Sequence, residues 1–161
     1  MAKNKEEKTN VMRVLEQKKI AYTAHTYPHE EGMAVDGVTV AKSMGFDPAI
    51  VFKTLVARGA SKQYYVFDVP VAENLDLKKA AKAVGEKSIE MIHQKELLPL
   101  TGYVHGGCSP VGMKKLFPTV FHETAENLET MIVSAGKIGY QVELAPRDLA
   151  ALVRAKFADI I

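Results

Sequence analysis

The spacing of apolar residues along this 161-residue chain changes period several times, and each change marks an element. Residues 9–19 carry Val11, Met12, Val14 and Leu15 on one broad apolar stripe, which predicts an opening amphipathic helix. IAYTAHTYP then alternates small and threonine residues with Tyr and His and stops at Pro28, as an exposed or edge strand would. PHEEGMAVDG is polar, acidic and glycine-bearing, a loop long enough to form a rim or lid. A short helix over 38–44 stops at Gly45, which tolerates the left-handed conformation of a helix end. IVFKTLVAR and YYVFDV, rich in β-branched and aromatic residues and separated by GASKQ, predict two strands joined by a turn.

Farther on, Asn74 or Asp76 caps a helix that runs to about Val84 and closes at Gly85. SIEMI predicts a short strand and HQKELL one more helical turn. TVFHE, TMIVSAG and YQVELA are three further strand candidates. Pro146 suits the first turn of a last helix running through Leu149, Leu152 and Val153 towards Phe157. Strands and helices do not alternate as regular βαβ units. With no repeat, low-complexity tract or linker, the pattern predicts a single α+β domain over residues 1–161 with a central, partly closed sheet.

Composition narrows the classes. A chain of this length buries roughly 68–70% of the surface it exposes when unfolded, so one substantial core is feasible. The sequence is 47% apolar and 25% charged, as in soluble globular proteins. It has no apolar run long enough to cross a membrane, and its start, MAKNKEEKTN, lacks the apolar stretch of a secretory signal. One cysteine excludes an internal disulfide and a cysteine zinc cage, which suits a reducing, cytoplasmic setting. The net charge of +2 tolerates a polyanionic partner without predicting one.

Four places carry candidate chemistry. In VFKTLV the strand period puts Lys53 on one face with Val51 and Leu55. Its ammonium either snorkels to the sheet edge or enters a pocket, where it could oppose charge developing on an ester carbonyl. GYVHGGCSPVG, residues 102–112, is either a plain turn or a loop whose backbone approaches a ligand closely. It matches neither phosphate-binding glycine pattern. Within it Cys108 reads as structural: His105 three residues earlier fixes no geometry, and no acid lies in the loop to orient it, although one could come from elsewhere in the fold. SAGKIG, residues 134–139, is either a tight turn or a strand end with room for a ligand beside Lys137. Lys78, Lys79 and Lys82 on one helix, with Lys114 and Lys115, form a solvated face or a phosphate-tracking patch. His25 and His29 straddle Pro28 and no H-E-x-x-H occurs, so no metal site is expected.

Taken in order, VFKTLV, PVAENLDLKKAAKAVG, TGYVHGGCSPVGMKK and IVSAGKIGYQVELAPRDL resemble the YbaK/EbsC family of bacterial aminoacyl-tRNA deacylases, in particular its Cys-tRNA(Pro) branch. The resemblance extends from HTYPHE to AKFADI, and related domains serve as the editing insertion of prolyl-tRNA synthetases. It implies a mixed, partly barrel-like sheet surrounded by helices, no cofactor and no metal. It places the lysine on which activity depends at Lys53, followed by Thr54. The loop flanking the aminoacyl pocket falls on Gly106, Gly107, Ser109 and Pro110, the small strand-end turn on Ser134, Ala135 and Gly136, and a tyrosine near the adenosine end on Tyr27. Where relatives carry an aliphatic residue in the GG-x-SP loop this chain has Cys108, and where some carry an acid it has Gln141.

The resemblance further implies that the attacking sulfur belongs to the substrate: the cysteinyl thiol attacks its own ester, and the protein positions and polarises. The implied partners are Cys-tRNA(Pro), with Cys-tRNA(Cys) as a second substrate, and prolyl-tRNA synthetase. Two alternatives stay open on the residues, a water-dependent deacylase of another small aminoacyl-tRNA such as Ala-tRNA(Pro), and a non-catalytic tRNA- or synthetase-binding module.

Overall fold

A computed structural model describes residues 8–30 and 33–161. Most of the charged N-terminal stretch, and Glu31 and Gly32 inside the predicted rim loop, lie outside the described residues. The first helix, α1 (Asn10–Gln17), starts where Thr9 accepts a hydrogen bond from the Met12 amide, and it buries Val11, Met12 and Leu15. Strand β1 (Thr23–Thr26) is an edge strand, as its alternation predicts. Asp36 caps α2 (Gly37–Ser43), and a short 3-10 turn, Pro48–Ile50, leads into β2 (Phe52–Gly59). β2 pairs antiparallel with β3 (Tyr64–Pro70) in the register Lys53↔Val69, Thr54↔Asp68 and Val56↔Val66.

Asp76, not Asn74, caps α3 (Leu77–Val84), which closes at left-handed Gly85. After β4 (Ile89–Met91), α4 (Gln94–Thr101) is longer than the single turn predicted and runs through Pro99. The Glu96 carboxylate accepts from the His93 amide at its start, and the Gly102 amide donates to the Leu98 carbonyl at its end, so both ends are satisfied. β5 (Thr119–His122), a 3-10 turn at Glu123–Asn127, β6 (Met131–Ser134) and β7 (Tyr140–Leu144) follow.

The last helix, α5 (Pro146–Val153), corrects the sequence expectation that it runs towards Phe157. Arg154 takes the left-handed conformation and ends it, and residues Ala155–Ala158 form β8. Phe157 pairs with Phe121 of β5, their rings 5.9 Å apart and edge to face.

The strands form two sheets, β4-β2-β3-β5-β8 and β1-β7-β6. The first is mixed, because β3, β5 and β8 run parallel while β2 is antiparallel to both neighbours. The two meet through one bridge, Val51 to Ile132, just before β2. The partly closed, barrel-like sheet expected from the sequence is therefore two joined open sheets; the mixed α+β class stands. One face of the larger sheet buries Phe67, Val69 and Val120 under α3. The other carries Val56 and Val66 beneath Leu97 of α4 and the Cys108 loop. A third core packs α1 and α5 on Val133, Val142 and Leu144 of the smaller sheet. Beside this bridge, residues of both sheets, including the start of β2, line a gap.

Candidate active site

That gap is a cleft of about 530 Å³, within the range of small-ligand sites. Lys53 and Thr54 line it from β2, Ser134, Tyr140 and Gln141 from the smaller sheet, His105, Gly106 and Cys108 from the glycine loop, and Tyr27 from just after β1. Val51, Val71 and Leu97 give it an apolar floor. Ala34, Val35 and Asp36 form an edge, so the predicted rim loop does border the site.

Lys53 stands two residues beyond the bridge joining the sheets. Lys53 is half-buried and lines the cleft, with Val51 and Leu55 as its apolar neighbours along the strand face. Adjacent strand residues point to opposite faces, and Thr54 turns towards β3, where its hydroxyl donates to Asp68 Oδ1 at 2.5 Å.

The glycine loop and the small turn shape the opposite wall. Gly106 has φ +91°, and a Cβ there would lie 2.7 Å from the Ala34 methyl. Gly107 passes so close to the 137–138 backbone that a Cβ would sit 3.1 Å from the Ile138 nitrogen. Only glycines let these three segments meet. Gly107, Ser109, Pro110, Ala135 and Gly136 do not line the cleft; they hold the wall from behind. Ser109 is fully buried and its Oγ accepts from the Val111 amide, while Ser134 Oγ accepts from the Gly136 amide at 3.0 Å. The Ala135 amide donates to the Tyr140 carbonyl, and the Tyr103 hydroxyl donates to that of Val111.

Cys108 behaves as its surroundings dictate. Burial, and then the charge of Asp68, push its thiol up to about 12, so it stays protonated at neutral pH. Asp68 reaches the neighbourhood of Cys108 from the larger sheet, where its charge opposes thiolate formation.

Asp68 is the residue sequence reasoning missed. It lies on the middle strand of the larger sheet, fully buried, and burial raises its carboxyl to about 7 against the opposing Thr54 bond. Its Oδ2 has no hydrogen-bond partner, and neither does Oε1 of Gln141, which is 8% exposed. The signal was present in YYVFDV, where an acid interrupts an apolar strand on the face that Thr54 shares.

Other candidates are engaged locally. Lys79 pairs with Asp159 at 3.0 Å, Lys114 donates to the Pro99 carbonyl, and Lys115 lies over the Phe117 ring. His25 bonds Glu143 at 2.8 Å. Among the described residues no cluster of His, Cys, Asp and Glu could hold a metal, and no helix is long and apolar enough to cross a membrane.

Residues 29–152 match the aminoacyl-tRNA editing domain. The chain belongs to that family. A relative from Enterococcus faecalis (strain ATCC 700802 / V583), named "Putative Cys-tRNA(Pro)/Cys-tRNA(Cys) deacylase EbsC", is 46% identical over 99% of this chain and 98% of its own. A solved structure described as "a putative trans-editing enzyme for prolyl tRNA synthetase" is 26% identical, with a TM-score of 0.77 over 93% of this chain and 95% of that one. A second, "hypothetical protein APE2540", shares the fold at 19% identity, with a TM-score of 0.82 over 93% of this chain and 97% of that one. The matched editing-domain segment contains Lys53, the glycine loop and the 134–139 turn.

Proposed function

We propose that this editing domain is a cytoplasmic, trans-acting deacylase that removes cysteine from Cys-tRNA(Pro), and from Cys-tRNA(Cys), using the substrate's own thiol. The carrying observation is a cleft lined by Lys53 and by Cys108, whose thiol stays protonated. Lys53 opposes the charge that develops on the ester oxygen. The cysteinyl sulfur bonds to the carbonyl carbon as the bond to the tRNA 3′ oxygen breaks, and the thiol proton ends on that oxygen. The product is a strained cyclic thioester that water opens.

Well-placed intramolecular attack reaches effective molarities of about 10⁵–10⁸ M, so positioning alone supplies much of the acceleration. The apolar floor, Tyr27 and the wall held by Gly106, Gly107, Ser109, Pro110, Ser134, Ala135 and Gly136 do the positioning. The chain works as one editing unit, and prolyl-tRNA synthetase shares in tRNA selection, which accords with the description of the trans-editing neighbour and the near-neutral net charge.

The test is release of amino acid from tRNA(Pro) charged in turn with cysteine, serine and alanine. Serine has nearly the shape of cysteine without the sulfur, and a pocket separates such close analogues by only about 1–3 kcal/mol. Cysteine is expected to leave at least about 10²-fold faster than either. Alanine released as fast as cysteine would replace the thiol mechanism with water-dependent hydrolysis.

A further inference from the structure

A threonine hydroxyl has one proton to donate and two lone pairs to accept with. Thr54 spends its proton inward, on Asp68 Oδ1, while its side chain also lines the cleft. Towards a ligand it therefore presents lone pairs only. Across the same cleft Gln141 Oε1 is buried without a donor. Buried polar atoms lacking partners are uncommon in native proteins, and the residue that carries this one borders the same cavity as Thr54. Lys53, next to Thr54, is a donor. The walls thus offer a cation for a carbonyl oxygen and, at Thr54, an acceptor for a group rich in N–H bonds. An aminoacyl ester whose amino group is free has both.

We infer that Asp68 is a positioning residue: by taking the Thr54 proton it fixes Thr54 as an acceptor for the substrate's free α-ammonium group, so the cleft rejects esters whose amino nitrogen is acylated. This rests on the deacylase reading of the cleft. Asp68 is fully buried and does not line the cavity, so it acts through Thr54 without touching the ligand. Burial raises the Asp68 carboxyl, and an arriving ammonium would offset that by favouring the ionised form that accepts from Thr54.

The experiment measures binding without turnover. The probes are 3′-deoxy-3′-(cysteinylamino)adenosine, an amide that the ester chemistry cannot consume, and its N-acetyl derivative, titrated calorimetrically into the full chain. The native protein is expected to prefer the free amine by about 10-fold or more, the scale of a hydrogen bond to a charged group. Thr54→Val and Asp68→Val should each bring the two affinities within about twofold, and Thr54→Ser should restore the preference. Thermal melts confirm that each variant is folded, and Thr54→Val, which closely matches the native shape, keeps the test decisive if Asp68→Val does not fold. Equal affinities in the native protein, no binding of either probe, or a full preference surviving in folded Thr54→Val would overturn the inference. Preference without release of any amino acid from charged tRNA would sink the deacylase reading and leave the inference standing. Lys53-dependent release of cysteine with a preference insensitive to Thr54 would do the reverse.

Discussion

The wall formed by β2 and β3 is held by a continuous ladder in which Lys53 faces Val69 and Thr54 faces Asp68, whereas in the wall of residues 102–112 and 134–139 only Ser134, paired with Gln141, belongs to a ladder. That second wall hangs on single bonds, from the Val111 amide to Ser109, from Tyr103 to the Val111 carbonyl and from the Gly136 amide to Ser134. A ladder fixes side-chain direction residue by residue, so the strand wall can hold groups that act on charge. A glycine loop fixes backbone shape, so the facing wall supplies fit. Damage to the strand wall should therefore alter chemistry, and damage to the loop should alter fit.

The largest effect is expected from Lys53→Ala. Removing one preorganised donor from a developing oxyanion costs about 10²–10³-fold in kcat. Lys53→Ala should lower kcat for cysteine release by that factor and leave the melting temperature within a few degrees, since the side chain is half-exposed. A kcat within threefold of native would move the chemistry off this wall.

Next in size is Gly106→Ala, which strikes the loop wall twice. The new methyl would meet Ala34, and the left-handed backbone resists any Cβ. Displacement of about 1 Å can cost 10²-fold in rate. The expected result is a fall of about 10–10²-fold in kcat/KM, of which Ala34→Gly in the same chain recovers part by removing the methyl it meets. No recovery would assign the whole effect to backbone strain.

The same contrast explains what the sequence could tell. Strand and helix signals are local, so the Asp76 to Gly85 helix, the β2–β3 pair and the face of Lys53 were all legible from spacing. The stop at Arg154 was not, because Ala155, Lys156 and Ala158 have weak strand preference and pair only because β5 lies beside them. The joining of the sheets through Val51 and Ile132 is equally long-range. On the loop wall, Gly106 and Ser134 could be placed at the cleft by resemblance alone. Residue type could not separate them from Ser109 and Ala135, which turn away into the core. Asp68 was overlooked because an acid in a strand reads as an exposed position until its neighbours on both sides are known.

A smaller effect, on stability, should come from Asp68→Asn. Burial raises the Asp68 carboxyl from about 3.8 to about 7 in the folded chain, so the folded state holds the proton over a range where the unfolded chain has lost it. The stabilising contribution is therefore complete below the unfolded value and is lost as pH rises through about 7. At pH 8 the native protein carries the full cost of a buried charge, on the order of 4 kcal/mol. Asparagine can still accept from Thr54 and has no proton to lose. Asp68→Asn should then melt roughly 8–16 °C above native at pH 8, with the gap closing towards pH 5. A gap that widens on acidification would mean the carboxyl is ionised and paired in the fold.

The smallest effect separates the walls most cleanly. Cys108 lies on the loop wall with its thiol held protonated by burial and by Asp68. If that wall supplies shape alone, Cys108→Ala removes one sulfur's packing and no chemistry. Stability should fall by about 1 kcal/mol, within the ordinary range for trimming a small buried side chain. Release of cysteine should stay within about twofold of native. Iodoacetamide should leave native turnover equally unaffected, because a buried thiol with so high a pKa offers little thiolate to alkylate. Loss of turnover in folded Cys108→Ala, with iodoacetamide inactivating the native protein at a matching rate, would put the attacking sulfur on the protein and erase the distinction between the walls.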